Sequence, residues 1–460
     1  MGIHVFFMFL YLSLANTLDA VLICSLLILH CIIKLVIDVT SKRGLHIMTT
    51  FYFGVIFATF ANLLFINKIY TFGLSEYSMY RYIVVQHIDT GILIWALGNT
   101  FIFIGYELFA NKSFPSLMVE VKSEKAIRNL FGFILFFSFL NVSGNTINLS
   151  FISGGVQKVI ALLNVMGILF FARLWGSEDN AKYRNFAFIL AVLQTLTALF
   201  SSFLRLELLT PTIVFYGGYF IGKGSIKYVF TPRIVPPLII MVIFSLFFNT
   251  LAGNRSHFID TFTGQNEVAA DNTSYVDMSE KDNERGGLLE RSSNIAQITN
   301  VVDLVERNGI YGGQASAPLI AAFIPRILWP DKPQVQLGAW FALEIGAASI
   351  TASGRANNSV NMTVHGELYL DFGWLGIVLG GIMFGGLIAA FWNAAQFNES
   401  AYNVTGALWG GYLLYYALFG VGSDLQILVS LVSTYLMFMI IKSIAKPYEN
   451  SIGRTTVARQ

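Results

Sequence analysis

Five cations set the chemistry that this sequence can perform: Arg205, Arg291, Arg326, Lys332 and Arg355. Arg326 and Lys332 lie in the run F-I-P-R-I-L-W-P-D-K-P at 323–333, where three prolines in eleven residues fix φ and remove backbone donors. A path that stiff presents its cations with little conformational freedom left to lose. The planar fork of arginine binds phosphate oxygens bidentately. Several such cations beside apolar segments describe a site for a lipid whose headgroup is a phosphate or diphosphate. The alternatives are anchoring of Arg326 and Trp329 at lipid headgroups, and an Arg205 that snorkels to the interface paired with Glu207.

The partner chemistry lies at 365–373, H-G-E-L-Y-L-D-F-G. On a helix there, His365 and Tyr369 share one face, and Glu367 and Asp371 share another. A carboxylate at the edge of a water-filled cavity is a general base for a hydroxyl, and a histidine can play the same part. Glu367 is the first candidate, because Gly366, Gly373 and Gly376 allow close helix approach around it. His365 and Asp371 stand behind it, with capping and interfacial anchoring as their alternative reading. Trp329, Tyr369 and Trp374 can stack on sugars or anchor at the interface. The sequence holds no G-x-x-x-x-G-K-[ST], H-E-x-x-H, G-x-S-x-G or C-x-x-C, so nucleotide, zinc and serine hydrolysis have no support. Neither a metal nor a cofactor is expected.

These residues must be positioned by membrane helices. Hydrophobic residues make up 55% of the 460 and charged residues 12%, and a bilayer core takes about 20 apolar residues per helix. The expectation is an all-α polytopic membrane protein. Spans are predicted near 15–37, 48–66, 90–109, 129–147, 153–173, 184–203, 207–222 and 233–252, and again near 372–394, 402–421 and 424–441. That makes eleven spans, or twelve if 1–15 also crosses. The chain divides into an N-terminal bundle (1–252), a large loop (253–365), a C-terminal set of helices (366–441) and a tail (442–460). Cys24 and Cys31 share one face of the first span and imply no disulfide framework. A net charge of +2, with no basic tract, excludes a nucleic-acid partner.

Basic residues fall in alternate connections: Lys42 and Arg43, then 112–128, 173–184 and 223–233, and finally the tail from Lys442. That asymmetry predicts an N-terminus outside, a C-terminus inside and the large loop outside. Within the loop, 256–284 is acidic and solvated, without EF-hand spacing. Residues 294–307 form an amphipathic helix with Ile295, Ile298, Val302 and Val305 on one stripe, set on the membrane or over the spans and stopped at Asn308-Gly309. A second short apolar piece, 317–324, ends at Pro325 and is interfacial or re-entrant.

The Glu-Arg-Ser at 290–292, the amphipathic helix, Gly312-Gly313, F-I-P-R-I-L-W-P-D-K-P and G-E-L-Y-L-D-F-G-W-L-G at 366–376 together resemble the bacterial O-antigen polymerase (Wzy-type) family. The motifs cover 290–376; elsewhere the likeness is one of architecture. The resemblance implies a membrane-embedded, GT-C-type glycosyltransferase of the bacterial inner membrane. Such an enzyme joins oligosaccharide repeat units carried on undecaprenyl diphosphate at the outer face, with room for a chain-length-regulating co-polymerase as partner. Some members carry two R-x10-G motifs; here Arg205 to Gly217 and Arg326 to Gly338 each enclose eleven residues. The related O-antigen ligases place a histidine ahead of a G-x-x-G, where alignment on Gly373 and Gly376 puts Met362, with His365 three residues late. Polymerase is therefore the first reading. A ligase and a lipid-linked glycan transporter or flippase are its rivals.

Overall fold

The computed structural model describes residues 1–15, 19–40, 47–72, 83–116, 118–147, 154–201, 205–224, 239, 293–317, 337–350, 356, 359–397, 399–407 and 409–410. Among them the chain is helical throughout, with isolated β-bridges but no strand. Twelve α-helices follow in order. They are α1 Gly2–Leu14, α2 Ala20–Thr40, α3 Ile47–Phe72, α4 Ile88–Phe109, α5 Glu124–Ile147 and α6 Gly154–Glu178, then α7 Ala181–Ser201, α8 Arg205–Gly222, α9 Ile295–Asn308, α10 Leu337–Glu344, α11 Thr363–Leu375 and α12 Gly381–Ala395. Among the described residues, four segments are long and apolar enough to cross a membrane: Ala20–Asp38, Ile47–Thr71, Val85–Phe109 and Thr363–Ala395. The spans expected near 233–252 and 424–441, and most of 402–421, lie outside the described residues, as does the acidic segment 256–284.

Two apolar cores organise these helices. The larger gathers α1–α4, α9, α11 and α12 around α4, which buries nearly every residue from Gly91 to Tyr106. The smaller joins α5, α6 and α7. Glycines set both seams. A Cβ on Gly105 would run into the Ile382 carbonyl oxygen, and one on Gly385 into that of Ile102, so α4 and α12 lie backbone to backbone and parallel. Gly176 and Gly222 do the same for α6 and α8, against the carbonyls of Tyr219 and Arg173. With little hydrophobic drive between helices in lipid, such small-residue contact is what lets dispersion hold them together.

The bundle has two distinguishable ends. At one, the segment after α4 pairs with the segment after α12: Ser116 donates to Gln396 at 2.6 Å, Val121 N–H to the Tyr402 carbonyl at 3.0 Å, and Val404 N–H to that of Val119 at 2.9 Å. Lys182 bonds Glu124 there, and Tyr402 bonds Glu178. Lys112, Lys122, Lys125, Arg128, Lys182, Arg184 and Lys223 all fall at this basic end, so the charge asymmetry read from sequence corresponds to one physical end of the molecule. The other end is capped by α9.

One element differs from the sequence reading. The chain was expected to enter its first span near residue 15, leaving the first residue at the end away from Lys42. Instead α1 folds back along α2, so that Met1 and His4 lie against Glu107 at the basic end. Thirteen helical residues rise only about 20 Å, too little for a span but enough to pair with a neighbour.

Candidate functional site

The capped end is built from α3, α4, α9 and α11. The apolar stripe of α9 (Ile295, Ile298, Val301, Val302 and Leu304) is buried against α4 and α11, so this helix packs over the spans. Ile295, Ile298 and Thr299 close on Gly91 of α4. Ser293 and the Asn294 N–H both donate to Asn62 Oδ1 of α3, at 2.9 and 2.8 Å. His87 stands 3.7 Å from Asp303 and 3.5 Å from Glu306, and Arg307 is paired with Asp303 at 2.7 Å.

α11 starts on an unusual residue. Thr363 has φ +69°, with its N–H held by Asn361 Oδ1 at 2.8 Å while its hydroxyl accepts from Gly366 N–H at 3.1 Å. The helical path breaks at Gly373, whose φ of +58° and ψ of −142° only glycine tolerates well. Residues 368 and 376 of a continuous helix would stand about 12 Å apart. Here a Cβ on Gly376 would strike the Leu368 carbonyl oxygen, so α11 and the following π-helical Gly376–Gly380 fold against each other as a hairpin. His365 and Gly381 accordingly meet the same residue, Gly98, near the middle of α4. The 20 residues from Gly376 to Ala395 suffice for a span by themselves, about 30 Å.

The three candidate bases do not converge. His365, 1% exposed, sits in a slot left by the missing side chain of Gly98, with the Trp95 ring 4.9 Å away. Neither of its ring nitrogens has a hydrogen-bond partner. Glu367 is equally buried, but two helical residues turn it roughly 200° from His365, onto the opposite face. The sequence reading put His365 and Glu367 on different faces of this helix, and the helix holds them so. Asp371 holds a turn: its carboxylate accepts from Ala315 N–H at 3.0 Å, from Ser316 N–H at 2.8 Å and from the Ser316 hydroxyl. Backbone bonds from Tyr311 to the Leu370 carbonyl (3.0 Å) and from Gly312 to that of Asp371 (2.8 Å) complete the strap. Tyr369 is nearly buried and Trp374 is 42% exposed, their rings 5.5 Å apart edge to face.

Of the expected cations, Arg205 is the first residue of α8, and the direction of that helix sets it at the capped end; its side chain lies outside the described residues. So do Arg291, Arg326, Lys332, Arg355 and Trp329. No group of three His, Cys, Asp or Glu among the described residues has metal-holding geometry.

A second polar cluster went unnoticed in the sequence. At the basic end Lys34 donates to Glu107 at 2.6 Å, His4 Nε2 lies 3.0 Å from the same carboxylate, His4 Nδ1 is 2.7 Å from His30 Nε2, and Tyr11 reaches His30 Nδ1 at 3.3 Å. A carboxylate paired with lysine only accepts, so His4 donates from Nε2. With both rings neutral, His30 Nε2–H then donates to His4 Nδ1, and the Tyr11 hydroxyl to His30 Nδ1. Every group has a partner. The one signal available was polar residues inside apolar runs, which are functional candidates by default in a membrane helix.

Compared with protein-family models, with curated proteins and with solved structures, the chain matches none.

Proposed function

We propose that the chain is a polytopic glycosyltransferase of the bacterial inner membrane that joins undecaprenyl-diphosphate-linked repeat units into a surface polysaccharide. The observation that carries this reading is the Asp371 strap. Two parts of the motif set that resembles the Wzy-type family, the turn leading to the Pro-Arg segment and the Gly-Glu-Leu-Tyr-Leu-Asp helix, are bonded to each other at one end of the bundle. The proposal keeps eleven or twelve spans, with the capped end outside.

In the proposed reaction an acceptor hydroxyl attacks the anomeric carbon of the donor glycan. The new glycosidic bond forms as the bond to the lipid diphosphate breaks, and the hydroxyl proton passes to Glu367. Arg205 and Arg326, with Lys332, Arg291 or Arg355, hold the diphosphate and stabilise the charge that develops as it leaves. Asp371, with both oxygens occupied, serves as the clamp of the turn, and His365 requires a movement of α11 before it can touch a substrate. Arg326→Ala and Arg205→Ala are expected to abolish polymer and leave single repeat units on the lipid. Normal chain lengths on a polysaccharide gel from both variants would sink the diphosphate site.

One observation favours a second reading, transport of the same lipid-linked glycan. The His4–His30–Glu107–Lys34 cluster puts ionisable groups of two spans, α2 and α4, against His4 of the shorter α1, and proton-coupled transporters keep such groups within their helices. Gene deletion separates the two: repeat units confined to the cytoplasmic face would indicate transport, and a lost ladder with units outside would indicate polymerisation.

A further inference from the structure

A groove of about 640 Å³ runs along the outside of α5 and α7, within the size range of sites that take small ligands. Gly132, Phe136 and Phe139 line it from α5, and Phe188, Ile189 and Val192 line it from α7. All six are exposed. A Cβ on Gly132 would meet nothing within 4 Å, so the missing side chain leaves open space in the wall. The two helices start at the same end and run parallel, because α6 returns between them. On the basic side of the groove they are joined: the Phe131 and Phe186 rings stack with centroids 3.9 Å apart, and Lys182 bonds Glu124.

The mouth of the groove at that end is cationic. Lys125 and Arg128 fall on the same stripe of α5 as Gly132, Phe136 and Phe139 by helical spacing. Arg128 precedes Gly132 by four residues, about 6 Å of rise. On α7, Arg184 stands one turn before Phe188, and Asn185 one turn before Ile189. The first turns of the two helices thus carry four cations, Lys125, Arg128, Lys182 and Arg184, against one carboxylate, Glu124. Glu124 is already bonded to Lys182. The neighbouring acids are engaged too: Glu178 with Tyr402, Asp179 with Lys223 at 3.7 Å and Glu120 with Lys122 at 2.8 Å. Lys125, Arg128 and Arg184 are exposed. Arginine takes phosphate oxygens bidentately, and the positive ends of two helix dipoles favour an anion at the same place.

An apolar slot with a cationic mouth at one end matches an acyl chain that leads to an anionic headgroup. We propose that the α5–α7 groove binds one phospholipid of the membrane, its acyl chain along Gly132, Phe136 and Val192 and its anionic headgroup at Lys125, Arg128 and Arg184. Basic pockets between spanning helices on the cytoplasmic side recognise anionic lipid headgroups, and in the proposed orientation the basic end is cytoplasmic. A zwitterionic headgroup would leave the positive charge of the mouth uncompensated. The proposed site for the carrier-lipid diphosphate lies at the opposite, capped end, so the two lipids do not compete. This inference goes beyond the transferase reading and shares with it only the spans at α5 and α7.

The experiment titrates the full chain in detergent with phosphatidylglycerol and counts bound lipid by native mass spectrometry. Wild type is expected to hold one phosphatidylglycerol at least tenfold more tightly than phosphatidylcholine of the same chains. The double variant Lys125→Gln, Arg128→Gln should lose that preference, with phosphatidylcholine binding unchanged. Gly132→Phe fills the open space, keeps every charge and should weaken phosphatidylglycerol at least tenfold. Phenylalanine is a better helix former than glycine, so α5 is not put at risk. No preference in wild type, or unchanged affinity in either variant, overturns the proposal. Displacement of the phosphatidylglycerol by undecaprenyl diphosphate also overturns it, because the groove then holds the carrier lipid. So does a dimeric wild type that Gly132→Phe makes monomeric, because a second copy then covers this face. Failure of the transferase reading looks different: the gene deletion leaves the polysaccharide ladder intact, while the lipid result stands or falls by itself.

Discussion

Two polar clusters of this bundle are buried, and they treat their side chains in opposite ways. At the basic end Lys34, Glu107, His4, His30 and Tyr11 form an unbroken chain of hydrogen bonds across three helices, α1, α2 and α4. From the capped end to the middle of α4, Asn62, Asn99, Gln297 and His365 leave five buried atoms without a protein partner, on four helices. An unpartnered buried polar group costs about 1–3 kcal/mol, whereas a paired one contributes a small net gain. The first cluster thus explains its own presence through the fold, since it fastens α1 to α2 and α4. The second is left unpaired by the protein itself, and such atoms take ordered water or another partner.

The largest effect should come from breaking the satisfied end. Glu107→Gln removes the one charge facing Lys34, which is 8% exposed, and the acceptor that orders the two histidines. Lys34 is buried and Glu107 is 21% exposed, so leaving the lysine without its partner costs about 3 kcal/mol, the lower end for a buried pair, still a large part of a typical domain's stability. Thermal unfolding in nanodiscs should show the loss, with a matching fall in the yield of folded protein. The double variant Glu107→Gln, Lys34→Met should recover much of it, because no buried lone charge then remains; the Met1 ammonium that also faces Glu107 is exposed. A single variant as stable as wild type would break the comparison, since the cluster would not be holding α1.

Sequence reading sees these two ends unequally. The long helices from α2 to α8 stand where the apolar runs predicted them, and the described basic loops collect at one end, because length and charge are properties of contiguous residues. The amphipathic stripe of α9 was legible for the same reason: Ile295, Ile298 and Val302 repeat at helical spacing and are buried, while Val305 is partly buried and Val301 and Leu304, off that stripe, are buried as well. His4 and Glu107, by contrast, are 103 positions apart, and nothing local to either announces the other. α1 was missed as a partner helix because thirteen residues fall below the length of a span. In the candidate site, the faces of α11 were predicted from spacing, but which neighbour each face meets was not. His365 turns to Gly98, and Asp371 turns to the 315–316 turn, because a chain reversal at Gly373 fixes the hairpin, and no periodicity encodes that reversal.

Gly98→Ala sharpens the comparison from the unsatisfied side. The added Cβ would overlap the Cδ2 of His365 and must push the ring out of its slot. Overpacking of a tight core costs about 1–3 kcal/mol, and a collision with a ring wedged against Trp95 belongs near the upper end. Combining it with His365→Ala should remove most of that cost, so a double-mutant cycle reports the contact directly. Additive losses in the cycle would mean that α11 does not seat His365 against Gly98.

The smallest effect is expected at Asp371, which resembles the basic cluster in being fully partnered although it lies at the capped end. Its two oxygens take three donors from residues 315 and 316. Asp371→Asn keeps one oxygen and turns the amide nitrogen towards a backbone N–H, so one donor loses its acceptor and the others lose the charge that strengthened them. Hydrogen bonds to a charged group contribute about 1.5–3 kcal/mol, and the oxygen that remains retains part of this, which leaves a loss of about 1–2 kcal/mol. That is too little to unfold the chain. It is enough to free the turn, and the turn leads directly to the segment carrying Arg326. If Asp371 is a clamp, the variant should lose polymer length far out of proportion to its small fall in Tm, and Asp371→Glu, which keeps the carboxylate, should recover part of that length. If Asp371 is instead the reacting base, Asp371→Asn should abolish transfer outright, and a shift of the carboxylate by one methylene should not rescue it.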